Sequence, residues 1–204
     1  MIMRKIILAL TVAAIAAGSA MAQISVGAGY LRQTTTTTVG ETSGTGATDG
    51  FYAGADFSCH LIAGLSVDPG IYYGYQVGKE DIYNVGIATT TTQSHYLFIP
   101  VDFKYSFHVA DFLDVFAFAG PRFNVGVASS TTWNVLDVSY EKNHYDEDGD
   151  LQRFDLALGA GVGIDLFQMV RIKFGYDWGL LDLNKTDSIQ LRNSGWHIGA
   201  AFLF

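Results

Sequence analysis

The stretch 170–179 most tightly constrains what this chain can become. Val170, Ile172, Phe174, Tyr176 and Trp178 alternate there with Arg171, Lys173, Gly175, Asp177 and Gly179. Successive residues of an extended strand point to opposite faces, so the stretch reads as a strand with one fully apolar side and one small or charged side. The pattern recurs along the chain. Ile24, Val26, Ala28 and Tyr30 oppose Ser25, Gly27 and Gly29, and Phe51, Ala53, Ala55 and Phe57 oppose Gly54, Asp56 and Ser58. Leu65, Val67, Ile71, Tyr73 and Tyr75 oppose Ser66, Asp68, Gly70, Gly74 and Gln76, and Leu97, Ile99, Val101, Phe103 and Tyr105 oppose Asp102, Lys104 and Ser106. Leu156, Leu158, Val162, Ile164 and Leu166 oppose Asp155, Gly159, Gly161, Gly163 and Asp165, and Trp196, Ile198, Ala200, Phe202 and Phe204 oppose His197, Gly199 and Ala201. The segment around 115–127 is apolar on both sides; Arg122 and Asn124 alone hint at its inner face, which is left open.

A sheet with so apolar a face needs a non-aqueous neighbour. Charged residues are 16% of the 204 and hydrophobic ones 49%, whereas a soluble surface calls for about 25–35% charged residues. The longest apolar run, 156–164, is interrupted by three glycines and ends at Asp165, far short of the roughly 20 residues of a membrane helix. A closed barrel is then the structure that satisfies its backbone in lipid. The connections 33–50, 77–94, 128–152 and 181–193 are long and polar, and 60–64, 107–112 and 167–169 are short. Long connections at one rim and tight turns at the other are the outer-membrane pattern. The expected fold is all-β: an eight-stranded antiparallel up-and-down transmembrane β-barrel, preceded by a cleavable signal peptide.

Residues 1–22 carry that leader. Arg4 and Lys5 precede an apolar core and Ala20-Met21-Ala22, a small-residue cleavage pattern that places the cut after Ala22. Residues 23–204 form the barrel domain, with 10 basic against 20 acidic side chains once Arg4 and Lys5 are gone. That acidity excludes a basic nucleic-acid binder, and the single Cys59 excludes a disulfide scaffold. Outward aromatics gather as Tyr30, Phe51, Tyr73, Tyr75, Trp178 and Trp196 at one rim and Phe57, Tyr105, Phe202 and Phe204 at the other, two interfacial girdles. Pro69, Pro100 and Pro121 fall inside strands, where bulges or locally open hydrogen bonds are expected.

The motifs Tyr96-Leu97-Phe98-Ile99-Pro100-Val101-Asp102-Phe103-Lys104-Tyr105, Ala119-Gly120-Pro121, Gly159-Ala160-Gly161-Val162-Gly163 and Tyr176-Asp177-Trp178-Gly179-Leu180-Leu181, with the closing aromatic strand, resemble the outer-membrane β-barrel domain family. These are the OmpA/OmpX-like barrels, also called "porin family" or PorT-type. The resemblance implies that Trp196, Ile198, Phe202 and Phe204 form a C-terminal signal read by the barrel-insertion machinery.

Inward parity gathers Asp56, Asp68, Asp102, Asp155, Asp165 and Asp177 with Lys104, Arg122, Arg171 and Lys173. Groups so enclosed must pair, and an eight-stranded lumen is only wide enough for side chains, so a charged plug is expected rather than an ion path. Asp146, Asp148 and Asp150 resemble part of a calcium loop but lack the closing Glu; a solvated acidic loop is the preferred reading, with no metal and no cofactor. Ser94 beside His95 is the nearest thing to a catalytic pair, yet strand neighbours point apart, and no enzyme is expected. The threonine runs 34–38, 89–92 and 129–132 read as strand continuing above the bilayer. Expected partners are outer-membrane lipid and lipopolysaccharide, the insertion machinery during assembly, and a surface partner reached by the long connections. A PorT-like secretion component, a lipid-modifying enzyme and a soluble lipocalin-like barrel are the alternatives.

Overall fold

The computed structural model describes residues 22–40, 42–82, 88–135, 138–143, 152–183 and 190–204. Among them run β1 (Ala22–Val39), β2 (Thr42–Ile62), β3 (Leu65–Ile82), β4 (Ala88–Ala110), β5 (Leu113–Val135), β6 (Val138–Asn143), β7 (Phe154–Leu166), β8 (Val170–Gly179) and β9 (Gln190–Leu203). Eight of these close a ring, β1-β2-β3-β4-β5-β7-β8-β9 and back to β1, each pair antiparallel. The short β6 lies outside the ring and pairs with the upper end of β5. Closure leaves the wall without an edge, which is what hydrocarbon demands of a sheet.

Parity decides burial throughout the wall. On β8, Arg171 is 2% exposed while Phe174, on the opposite face, is 49% exposed. The face of β5 that the sequence leaves open is settled the same way: Phe116, Phe118, Arg122 and Asn124 are buried in the lumen. Glycines make room for that aromatic pair. A Cβ at Gly163, the ladder partner of Phe116, would collide with its ring.

Among the described residues the expected long connections 33–50, 77–94 and 128–152 are mostly strand, which corrects the sequence reading. β1 and β2 stay paired up to Val39 opposite Thr42, and β3 and β4 up to Ile82 opposite Ala88. Polar and glycine-rich composition suggested loops, whereas the ladders run on through the threonine runs, as expected of those β-branched residues, and into their neighbours. Above Asp49 and Val77 the β2–β3 pairing ends. The wall therefore divides into two upright ribbons, β9-β1-β2 and β3-β4-β5-β6.

The prolines lie on three neighbouring strands and do not bulge them. The ladders skip Phe57 and Ser58 beside Pro69, Gly70 and Ile71 beside Pro100, and Val101 and Asp102 beside Pro121, then resume in the same register. The missing N–H is thus absorbed by a short open stretch, the second of the two expected outcomes. Irregular register occurs elsewhere, notably between His95 and Tyr96, where Val127 is the extra residue of β5. From there the inward face of β5 passes to Ser129 and Thr131.

At the opposite rim, Phe167 and Gln168 both take positive φ, 53° and 55°, in a turn where most side chains are strained. Gln168→Asn, which tolerates this conformation better, should raise stability by roughly 0.5 kcal/mol. Urea unfolding of the vesicle-inserted protein measures it, and an unchanged or lower midpoint would contradict the strain.

Candidate functional site

The lumen holds the candidate site. Arg171 of β8 is its lower hub: Nε and Nη2 donate to the two oxygens of Asp165 at 2.8 and 2.9 Å, and Nη1 reaches Asp56 at 3.5 Å and Asp68 at 3.4 Å. Such a fork-to-carboxylate pair fixes orientation as well as charge. Lys104 Nζ lies 2.9 Å from Asp68, while Lys173 Nζ lies 3.4 Å from Asp102 and 3.8 Å from Asp56. Asp56 also accepts from Ser25 at 2.6 Å and from the Tyr72 hydroxyl. Higher up, Arg122 contacts Asp177 through Nε and Asp102 at 3.5 Å, and His197 Nδ1 is 3.3 Å from Asp177.

Nine of the ten inward charges named from the sequence are joined in this network; Asp155 stands apart, reached by the Asn124 amide at 3.4 Å. Parity could not foretell that separation, since ion pairs here cross the lumen between strands that are not neighbours. Two inward aromatics bind the cations together. Lys104 and Arg171 lie 5.4 and 5.2 Å from the Phe116 ring centre, and Arg122 and Lys173 lie 5.8 and 5.3 Å from that of Phe118, within cation–π range. Tyr52, Tyr72 and Phe98 share the inward face, and sequence reasoning missed all five aromatics as lumen residues. For Tyr52, Tyr72 and Phe98 the signal was available, because each has the parity of a neighbouring Asp or Gly.

Above Arg122 the lumen widens into a cavity of about 70 Å³ opening toward the ribbons, lined by Tyr52, Phe98, Arg122, Asn124, Asp155 and His197 among others. Below it, packed side chains leave a void of about 10 Å³ beside Tyr52, Tyr72, Arg171 and Lys173.

Ser94 and His95 lie on opposite sides of the wall. Ser94 is buried and 3.0 Å from the Ser129 hydroxyl, whereas His95 faces outward with Nδ1 2.5 Å from the Tyr73 hydroxyl. They form no dyad. Asp146, Asp148 and Asp150 fall outside the described residues, and among the described residues no group of three His, Cys, Asp or Glu could hold a metal. Tyr30 packs on Phe51 and Trp196 at the upper rim, with ring centres 5.8 and 5.4 Å apart, and Tyr105 packs on Phe107 at 4.7 Å at the lower one. The turn residues Phe112 and Phe167, 5.8 Å apart, extend the lower girdle beyond the residues named from sequence.

A closed ring of alternating strands, aromatic at both rims, apolar outside and ion-paired inside, defines an integral barrel of the outer membrane. The family model described as "Outer membrane protein beta-barrel domain" matches residues 16–185. The chain belongs to that family, which places it in the outer membrane of a Gram-negative cell. Among solved structures it is similar to Ail, the attachment invasion locus protein of Yersinia pestis, at 12% identity, covering 91% of this chain and 100% of that one with a TM-score of 0.46. A major outer membrane protein from Thermus thermophilus shows 16% identity over 91% and 100% of the two chains, with a TM-score of 0.46. The outer membrane enzyme PagL shows 13% over 88% and 97%, with a TM-score of 0.41. No curated protein matches the chain.

Proposed function

We propose that this protein is a non-enzymatic surface barrel: a lipid-anchored wall, closed at mid-height by its ion-pair network, that holds two threonine-rich β-ribbons outside the cell as its interaction surface. The length of the strands supports this reading. Crossing the bilayer takes about 9–11 residues, whereas β2 has 21 and β4 and β5 have 23 each. The surplus is rigid paired strand rather than loop. Residues 1–22 are a leader removed during export, and Trp196, Ile198, Phe202 and Phe204 serve insertion; a purified outer-membrane form beginning at Gln23 is the expected mass-spectrometric result.

Photocrosslinking from Thr36 and Thr91 in intact cells tests the surface role. Adducts with lipopolysaccharide or another envelope or surface component are expected. Capture of a secretion subunit instead would favour the machine reading, and lipid A altered in a deletion strain would reveal an enzyme. In planar bilayers the plugged lumen should pass no steady current, and sustained conductance would contradict closure.

A further inference from the structure

Among the described residues one lumen carboxylate has no cation beside it. Asp155, at the outer end of β7, is 7% exposed and Asn124 opposite it is 9% exposed, and the Oδ1 atoms of both have no hydrogen-bond partner among the described residues. Both line the outward-opening cavity. An enclosed carboxylate left without a counter-charge is strongly unfavourable, so the site is complementary to a positive group arriving from outside. The cations on the same cavity wall are already held, Arg122 by Asp102 and Asp177, Lys173 by Asp102 and Asp56, and Arg32 by Asp49. The remaining wall is partly apolar, through Leu31, Phe98 and Pro100.

We propose that the cavity binds a small primary ammonium compound, its ammonium on Asp155 Oδ1 and Asn124 Oδ1 and its short alkyl part against Leu31, Phe98 and Pro100. A hard metal ion suits the site less well, because such ions take about six or more oxygens, while the unpartnered cavity oxygens outside the ion pairs are three, those of Asp155, Asn124 and the Tyr52 hydroxyl. An ammonium has only three protons to place, and the apolar wall serves its carbon chain. The space, about 70 Å³, accommodates about five water molecules, which suits an amine about as large as n-propylammonium.

The test is an NMR titration of the purified, detergent-folded protein with n-propylammonium chloride, following the backbone amides of Leu156 and Ala157. Saturable shifts are expected, with 1-propanol, KCl and MgCl2 producing none. Asp155→Asn should weaken binding roughly ten- to hundredfold, the worth of a charge-assisted hydrogen bond. Asn124→Ala, which keeps the carboxylate, should weaken it by a smaller factor and stands in should Asp155→Asn fail to fold, as judged by unheated gel mobility. Equal shifts with propanol, saturation by either bare salt, or wild-type titration of both folded variants would overturn the proposal.

Discussion

Replacing Arg171 with methionine should cost about 3–5 kcal/mol of stability, the typical consequence of removing one partner from an enclosed ion pair. Arg171 is 2% exposed, and the Asp165 carboxylate that it grips at 2.8 and 2.9 Å has no other cation among the ion pairs described. The other two acids it touches are better supplied, Asp68 by Lys104 and Asp56 by Lys173. Most of the damage therefore falls on Asp165, and a second change, Asp165→Asn, should recover the larger share of the loss. Equilibrium urea unfolding in lipid vesicles provides both numbers. A wet, well-screened lumen would make the single change cost less than about 1 kcal/mol, as exposed pairs do, and that outcome would refute the plug.

Arg171→Met also separates charge from packing. Its guanidinium lies 5.2 Å from the Phe116 ring centre, and methionine preserves an apolar contact there. Phe116→Leu should consequently be the milder change, because it removes ring contacts while leaving every carboxylate with its cation.

How much of this was legible beforehand follows from what each feature depends on. Wall parity depends on one-sided contact with lipid, so Ile172, Phe174 and Arg171 announce their faces within a few residues of sequence. The inward Phe116 and Phe118 were obscured because their strand is apolar on both sides, and the deciding neighbours, Gly163 and Gly161 on β7, lie far along the chain. The threonine runs were legible as strand, but the rest of the ribbons was read as connection because serine and glycine are common in loops; what favours strand is the pairing of 34–38 with both β2 and β9. The isolation of Asp155 is a matter of distance across the lumen, which parity does not encode.

Phe174→Arg should destabilise the inserted protein by about 2–4 kcal/mol, the cost of a guanidinium on the lipid face near the bilayer midplane. Phe174 lies midway along β8, between the aromatic girdles, with Val162 and Ile198 as its ladder neighbours. No carboxylate shares that outward face of β8, where Val170, Ile172, Tyr176 and Trp178 alternate with the lumen residues, so an arginine there has no partner and must distort the bilayer or reach for its surface. The matched control is Thr36→Arg on the ribbon, opposite Thr45 and Arg192, where the new charge meets water and the change should stay within about 0.5 kcal/mol. Comparing the two in the same vesicles cancels effects of arginine itself. Were the two variants equally stable, hydrocarbon could not be what touches Phe174, and the outward face of this barrel would have to be covered by something other than lipid.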